Sequence, residues 1–338
     1  MKTKYYHFNN MRLYKTGFIA LIVIILPALF LAGCKKNNDA GFNKATSTLF
    51  QYINDNKQLT LYRAALKRAG IDNAETFSSG GPLTVFAPVD SAFVKAGLTL
   101  DSINKYDPQT LSGVLKYGMV YGKVSSGSLV GFYQQDAASK NGTYKPRVNK
   151  NYYGIFFDGI PLINGGSTDL NDGVLHELNR VPLPPTTNVF ATISKTPDLT
   201  IYTAILKRIG QDAALSVPPP VNPFNPDYSD NGLYYTVFAP TNDAFKTFGY
   251  PDVQSVENTD VSVLQQLIVR DTYLRQGKLL TSVFKGGYNL SSGSGFYVEA
   301  DGFAIFTAGN LSLTHIVRPD IIATNGVIQI TDQVMVVR

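Results

Sequence analysis

The chain has 338 residues, a formal net charge of +5, no tryptophan and one cysteine. Much of the positive charge lies in the amino-terminal segment, so the remainder is close to neutral and gives no case for nucleic-acid binding. A single cysteine excludes an intramolecular disulfide and a multi-cysteine metal site. Packing must therefore hold the fold, for which a hydrophobic content of 44% is adequate.

The amino-terminal residues 1–33 are typical of an export signal. Four basic residues and no acidic one precede an apolar run over residues 18–31, which is shorter than the roughly 20 residues of a membrane span. Small residues end this run just before Cys34, an arrangement that resembles a bacterial lipobox. The resemblance implies cleavage before Cys34 and lipidation of that residue. A short anchor helix is the alternative.

The remainder of the chain is a tandem duplication. Leu59–Gly70 returns as Leu199–Gly210 with eight of twelve residues identical. Two shorter matches follow in the same order: Thr84–Pro88 with Thr236–Pro240, and Asp172–Leu175 with Asn325–Ile328. Three ordered matches indicate two copies of one domain rather than a short solenoid repeat.

The duplication sets the expected domain organisation. We expect a lipidated, flexible tether over residues 34–44, a first domain over 45–181, a Pro-rich linker over 182–185 and a second domain over 186–338. The second copy contains an insertion that includes much of Val217–Pro226, where five prolines predict a surface loop.

Each copy is predicted to begin with a helix and continue with a strand. Apolar residues fall at helical spacing in Leu199–Ile209, and Gly210 is a suitable helix stop. Thr-Val-Phe-Ala-Pro predicts a strand that its proline ends, followed by a capped helix. Short strands are expected in the Tyr- and Phe-rich middle of each copy. In the closing strand, Ile328 and Ile330 alternate with polar residues, which predicts one buried face.

These residues resemble the fasciclin domain family. Thr236–Phe245 match the family's Thr-Val-Phe-Ala-Pro-Thr-Asn-Asp-Ala-Phe block in full, and Thr84–Phe93 match it with three substitutions. Asn325–Asp332 match most of a second block, Asn-Gly-Val-Ile-His-Val-Ile-Asp. The resemblance covers nearly all of the chain after Cys34. It implies an α+β fold of two tandem domains, each a wedge-shaped β-sandwich flanked by short helices, with a role in adhesion or extracellular binding.

The resemblance also nominates site residues. The family's Tyr-His pair loses its histidine here, at Gly118 in the first copy and at Tyr273 in the second. Some animal members bind integrins partly through a Pro-Asp-Ile segment, and Pro319, Asp320 and Ile321 look like it, so they are the candidate partner-binding residues. The motif residues expected to serve mainly structure are Thr84, Phe86, Pro88, Asp90, Thr236, Phe238, Pro240, Asn242, Asp243, Asn325 and Gly326.

Catalytic chemistry is not indicated by the sequence. His176 aligns with Gln329, so an amide should be able to replace it, and His315 has no partner at metal-ligand spacing. Asp90 and Asp243 follow the strand-ending prolines and are expected to cap helices rather than to act as acid and base. We therefore expect no enzyme activity, no cofactor and no metal.

The leading hypothesis is a lipid-anchored envelope protein that mediates adhesion or binds extracellular protein or matrix. Its expected partners are a membrane, through the lipid on Cys34, and a protein or glycan ligand, with no nucleic acid. We expect an outer-membrane lipoprotein and leave its face open. Alternatives are a glycan-binding accessory of a polysaccharide uptake system and a purely structural envelope protein. Exposed aromatic side chains at Tyr152–Tyr153, or around Phe224 and Tyr228, would favour glycan binding.

Overall fold

The computed structural model describes residues 47–129, 131, 133–218, 234–265, 273–274, 279–289, 296–299 and 301–336. They belong to one compact unit, Lys44–Arg338. The predicted signal, the lipidated Cys34 and the tether lie outside the described residues, as do Phe224, Tyr228 and most of the predicted insertion.

The first repeat has three helices before its first strand and three after it, followed by seven short strands. Its helices are α1 (Leu49–Asp55), α2 (Thr60–Arg68), α3 (Ala74–Ser78), α4 (Asp90–Lys95), α5 (Leu100–Lys105) and α6 (Pro108–Tyr117). Its strands are β1 (Leu83–Pro88), β2 (Met119–Tyr121), β3 (Tyr133–Asp136), β4 (Arg147–Asn151), β5 (Gly154–Phe157), β6 (Ile160–Pro161), β7 (Thr168–Asp169) and β8 (Gly173–Leu178). A 3₁₀ turn spans Ile163–Gly165.

The second repeat follows a similar order, with one added short helix after its second strand. Its described helices are α7 (Val189–Ser194), α8 (Thr200–Arg208), α9 (Gln211–Ser216), α10 (Asn242–Phe248), α11 (Val253–Glu257), α12 (Val261–Leu264) and α13 (Thr281–Phe284), with a 3₁₀ turn at Pro197–Leu199. Its described strands are β9 (Tyr235–Pro240), β10 (Tyr273–Leu274), β11 (Tyr288–Asn289), β12 (Phe296–Val298), β13 (Ala304–Thr307), β14 (Thr314–Ala323) and β15 (Gly326–Thr331). The predicted α+β class and the helix within Leu199–Ile209 are confirmed.

The two motif blocks of each repeat form neighbouring parallel strands. In the first repeat β1 pairs in parallel with β8, and Phe86 lies opposite His176. In the second, β9 pairs in parallel with β15, and Phe238 lies opposite Gln329. The central sheet of the first repeat has the strand order β2-β1-β8-β7. That of the second has the order β10-β9-β15-β14, in which β14 pairs with β15.

Each central sheet is covered on both faces. In the first repeat the helices pack on one face around Val85 and Leu175, while Phe86 faces the separate sheet β3-β4-β5-β6 and packs with its Val148 and Phe157. The outer strands of the second repeat are joined to its central sheet through β14, which gives a continuous order of seven strands. A sandwich is therefore formed in the first repeat by two sheets and in the second by one folded sheet.

The prediction that the closing strand buries only one face is wrong. Ile328 and Ile330 pack in the helix-side core, but Gln329 and Thr331 are fully buried on the other side. Parallel strands covered on both faces lose the simple alternation of apolar and polar residues. The polar residues of this strand must then find hydrogen-bond partners inside the protein.

Candidate binding surface

In both repeats the threonine of the first block hydrogen-bonds a loop to the central sheet. The Thr84 hydroxyl donates to the Gly122 carbonyl oxygen at 2.7 Å and accepts from the Val124 amide at 2.8 Å. The Thr236 hydroxyl accepts from the Leu279 amide at 2.9 Å. Both threonines are fully buried. A threonine is needed at this place in the motif because its hydroxyl is the hydrogen-bond partner of loop backbone groups that water cannot reach.

The aromatic residue and the proline of this block also have structural roles. The Phe86 ring centroid lies 4.4 Å from that of Phe157 and 4.9 Å from that of His176. Phe238 packs in the same way against Phe284, with ring centroids 6.2 Å apart. Pro88 and Pro240 are the last residues of β1 and β9, as the sequence predicts.

The polar residue two positions after each proline anchors a different helix. The Asp90 carboxylate accepts from the Leu61 amide at 2.8 Å and from the Thr60 hydroxyl at 2.5 Å, at the beginning of α2. Asn242 accepts from the Ile201 amide at 3.0 Å at the beginning of α8. Each side chain thus accepts a hydrogen bond from a first-turn amide of an earlier helix, α2 or α8, which has no partner within that helix.

This geometry corrects the predicted pairing of Asp90 with Asp243. The structural counterpart of Asp90 is Asn242, and neither caps the helix that it begins. Asp243 is exposed and forms an ion pair with Lys246 at 2.9 Å, while Thr241 caps α10 by accepting from the Ala244 amide. The repeated feature is therefore an acceptor oxygen, which an amide supplies as well as a carboxylate.

The second block joins the first helix of each repeat to the sheet. Asp172 accepts from the Leu49 amide at 2.7 Å, and Asn325 accepts from the Val189 amide at 2.8 Å. The following glycines leave room for these helices. A β-carbon at Gly173 would lie 2.4 Å from the Leu49 Cδ1 atom of α1, and one at Gly326 would lie 2.7 Å from the Val189 Cγ2 atom of α7.

His176 and Gln329, which lie opposite Phe86 and Phe238, each donate a hydrogen bond to a loop carbonyl oxygen, one from an imidazole and the other from an amide. The His176 Nε2 atom donates to the Val124 carbonyl oxygen at 2.7 Å, and the Gln329 Nε2 atom donates to the Leu279 carbonyl oxygen at 3.1 Å. The exchange of His176 for an amide therefore stays a prediction that this geometry supports. Burial lowers the pKa of His176, which favours the neutral imidazole.

Asp320 completes the polar network of the second repeat. Its carboxylate accepts from the Thr281 amide at 2.8 Å, from the Thr281 hydroxyl at 2.5 Å and from the Gln329 amide group at 2.9 Å. Ser167 occupies the equivalent place in the first repeat and accepts from the Ser126 amide at 3.1 Å. Sequence inspection misses this correspondence because serine and aspartate look unrelated.

The role expected for Asp320 is therefore corrected. Its side chain is buried, its φ angle is +57°, and its carboxylate is directed into the protein rather than towards a partner. Burial raises the pKa of this carboxyl group above its usual value, against the opposing effect of the hydrogen bonds from Gln329 and Thr281. Pro319 and Ile321 are half-buried, and their contact with a partner stays a prediction.

Buried polar contacts join the two repeats. The Asn151 side-chain amide donates to the Ser282 carbonyl oxygen at 2.6 Å, and the Ser282 hydroxyl donates to the Asn149 side-chain oxygen at 3.1 Å. Gly159 lies against Asp320 so closely that a β-carbon there would overlap the carboxylate. Strand β4 of the first repeat thus contacts α13 of the second, and the turn between β5 and β6 contacts β14.

A cleft of about 360 Å³ lies beside this junction. The extended stretch from Arg180 to Thr187 forms one wall, and Pro319–Ile322 form another. The predicted linker and the predicted Pro-Asp-Ile segment therefore meet in space. The cleft also contains Asp158, whose carboxylate accepts from the Tyr117 hydroxyl at 2.5 Å.

The most exposed aromatic residues near the junction form what we call the aromatic surface: Tyr152, Tyr153, Tyr297 and Phe306. Tyr152 is 93% exposed and Tyr153 50% exposed, and their rings meet edge to face with centroids 5.4 Å apart. Tyr297 is 42% and Phe306 50% exposed, and they are cross-strand partners on β12 and β13. The Tyr153 and Tyr297 side chains both reach the Gly286–Gly287 turn, so the surface crosses from one repeat to the other.

The model of the fasciclin domain matches twice, over residues 57–184 and 198–337. The chain belongs to the fasciclin domain family. Protein sll1483 from Synechocystis sp. is 28% identical over 140 residues, which are 41% of this chain and 74% of that protein. The structure of a FAS1 domain pair from the insect cell adhesion molecule Fasciclin I covers 82% of this chain and 95% of that chain, with 15% identity and a TM-score of 0.33.

The motif residues of both fasciclin domains are therefore engaged within the protein. Within the described part of the chain, the aromatic surface is exposed to solvent beside the junction. Among the described residues, no group of three or more His, Cys, Asp or Glu side chains is placed to hold a metal ion. In that same part of the chain, no helix is long and apolar enough to cross a membrane.

Proposed function

We propose that this protein is a lipid-anchored protein of the bacterial cell envelope that mediates adhesion or binds extracellular protein or matrix through its tandem fasciclin domains. The observation that carries the proposal is the buried contact between the two domains. Asn149 and Asn151 of the first domain are hydrogen-bonded to Ser282 of the second. A joined pair presents a composite surface that neither domain forms alone.

Binding rather than catalysis is favoured by the use of the polar motif residues. Asp90 and Asp172 accept hydrogen bonds from helix amides, and Asp320 accepts three hydrogen bonds inside the second domain. A general acid or base needs a proton-transfer group that can reach a substrate. These carboxylates instead satisfy buried donors, so the proposed activity lies in surface contacts.

Protease treatment of intact cells can test which side of the membrane the protein faces, and cell fractionation can test anchoring through Cys34. We expect the native protein to be digested on intact cells if it faces the outside, and to be digested only after the outer membrane is opened if it faces the periplasm. The control is the Cys34→Ala variant, which should be recovered in the soluble fraction. Recovery of this variant in the membrane fraction in the same amount as the native protein would contradict lipid anchoring.

Adhesion can be tested with the same pair of strains. Cells that carry the native protein should attach to immobilised extracellular matrix proteins better than cells that carry Cys34→Ala. An Asn151→Ala variant should reduce attachment without loss of membrane localisation, because it removes a hydrogen bond between the domains. Equal attachment by all three strains would exclude the adhesive role.

A role as a glycan-binding accessory of a polysaccharide uptake system is the second candidate. It is favoured by the exposure of Tyr152 and Tyr153, whose rings are available to stack on a ligand. Unchanged growth on every tested polysaccharide after deletion of the gene would count against this candidate. It would leave the adhesive role intact.

A further inference from the structure

The aromatic surface has the geometry of a built site. Tyr152 and Tyr153 extend from the turn between β4 and β5, and Tyr297 and Phe306 lie side by side on neighbouring strands. Cross-strand partners on one face have side chains about 5 Å apart. The two pairs come from different fasciclin domains, so the surface exists only when the domains are joined.

Two consecutive glycines bring the pairs together. Gly286 and Gly287 have φ angles of +94° and +89°, a conformation that favours glycine. A β-carbon at Gly286 would lie 3.1 Å from the Tyr153 ring, and one at Gly287 would overlap the Tyr297 hydroxyl. Because adjacent Cα atoms are only about 3.8 Å apart, the tips of the two phenols meet the turn at almost the same place.

We infer that the aromatic surface binds a neutral carbohydrate chain. This inference rests on the proposed extracellular binding function and names its ligand class. Tyrosine offers an apolar ring face together with a hydroxyl that can hydrogen-bond, which suits a ligand with both apolar faces and hydroxyl groups. Rings from two domains provide contacts for several successive sugar units rather than for one.

The absence of charge on the four aromatic side chains fits a neutral ligand. None of its four side chains carries a formal charge, and neither glycine adds one. Lys285 lies next to the turn, but its ammonium is directed over the Phe156 ring, 5.7 Å from the centroid, and the residue is half-buried. An acidic polysaccharide would therefore gain no ion pair from the rings. The surface is also continuous with the buried contact between the domains, which holds the two pairs of rings in a fixed relation.

The test is titration calorimetry of the full-length chain in detergent micelles. The probes are neutral hexasaccharides of glucan, xylan and mannan type, with an acidic galacturonan hexasaccharide for comparison. The variants are Tyr153→Ala and Phe306→Ala, one from each domain. Matched controls are Tyr121→Ala and Phe248→Ala, because these aromatic residues are exposed to a similar degree, 44% and 38%, and are not part of the surface.

We expect at least one neutral hexasaccharide to bind, and each surface variant to weaken its binding about tenfold, as for truncation of a binding hot spot. The controls should leave the affinity unchanged. All four variants should keep the unfolding temperature of the native protein, since the changed side chains are exposed. This readout separates lost contacts from lost folding.

Three results would overturn the inference. They are no binding to any neutral probe, equal binding by surface variants and controls, and preferential binding of the acidic probe. Cell attachment measured on matrix protein with the Tyr153→Ala and Phe306→Ala variants then separates the two proposals. Attachment that persists without carbohydrate binding leaves the adhesive function standing and removes only the ligand assignment. Attachment lost with no carbohydrate binding makes the surface a protein-docking site.

Discussion

Replacement of Asp320 by alanine should destabilise the second fasciclin domain by about 3 kcal/mol. The change removes three hydrogen bonds to the carboxylate and leaves the buried Thr281 amide and one Gln329 donor without that acceptor. An unsatisfied buried donor costs about 1–3 kcal/mol. Alanine at a φ angle of +57° adds about 1 kcal/mol. Loss of a buried carboxylate offsets part of the total, because burial disfavours its charged form.

The matched variant is Asp320→Asn, which keeps an acceptor oxygen and tolerates the left-handed backbone. It should cost about 1 kcal/mol at neutral pH. The measurement is urea unfolding of the full-length protein in detergent for native and variant forms. An Asp320→Ala variant within about 0.5 kcal/mol of the native protein would refute the role assigned to this network.

The pH dependence of the same pair gives a second check on the buried carboxyl group. The folded-state pKa of Asp320 is raised above its ordinary value of 3.8, so folding favours the protonated form. The cost of burying the charge is present at neutral pH and disappears as the pH falls through the raised pKa towards 3.8. The native protein should therefore gain stability relative to Asp320→Asn on acidification. A relative loss would contradict the assigned direction.

Three further predictions concern two contacts that recur in both repeats and one contact between the repeats. His176→Gln should cost less than about 1 kcal/mol of stability. Burial lowers the pKa of His176 in the folded protein, so the native protein should lose stability as the pH falls below the ordinary histidine pKa of 6.5, and the variant should not show this loss. Thermal unfolding of both forms at pH values from about 5 to 8 measures the difference. Gly159→Ala should be more destabilising than Gly97→Ala in urea unfolding, because both have positive φ angles but only Gly159 has a neighbour at the added β-carbon. Asp90→Asn should retain native stability while Asp90→Ala loses about 1 kcal/mol in the same assay, since the helix needs only an acceptor oxygen; equal losses would show that charge matters.

The sequence predicts the duplicated units because both copies retain short blocks whose residue types have local consequences. Thr-Val-Phe-Ala-Pro forms a strand and ends it at proline, and the spacing within Leu199–Ile209 forms a helix, as the structure confirms. The alignment of His176 with Gln329 is also recoverable from the chain alone. These features depend on neighbours in sequence, which periodicity and turn chemistry report directly.

Other parts of the site could not be predicted because they depend on partners distant in sequence. The acceptor at Asp90 serves a helix that begins 30 residues earlier. The equivalence of Ser167 with Asp320 becomes visible only in the structure, where Ser167 accepts from Ser126, which follows β2, and Asp320 accepts from Thr281, which follows β10. The sequence named Tyr152 and Tyr153 as aromatic residues whose exposure would favour glycan binding, but it gave no signal that they are exposed. It gave none for Tyr297 and Phe306 either, since strand aromatics are more often buried.

The amino-acid sequence by itself determined that this protein has two copies of one α+β domain, each with an opening helix followed by the motif strand. Local propensity, capping and repeated motifs are enough for that. Only the tertiary structure decided that the two blocks of each copy lie side by side as parallel strands and that Asp320 is directed inward. It also decided that rings from both domains meet at Gly286–Gly287. The physical reason is that burial and cross-domain contact are set by the packing of whole layers, which no local window of the chain contains.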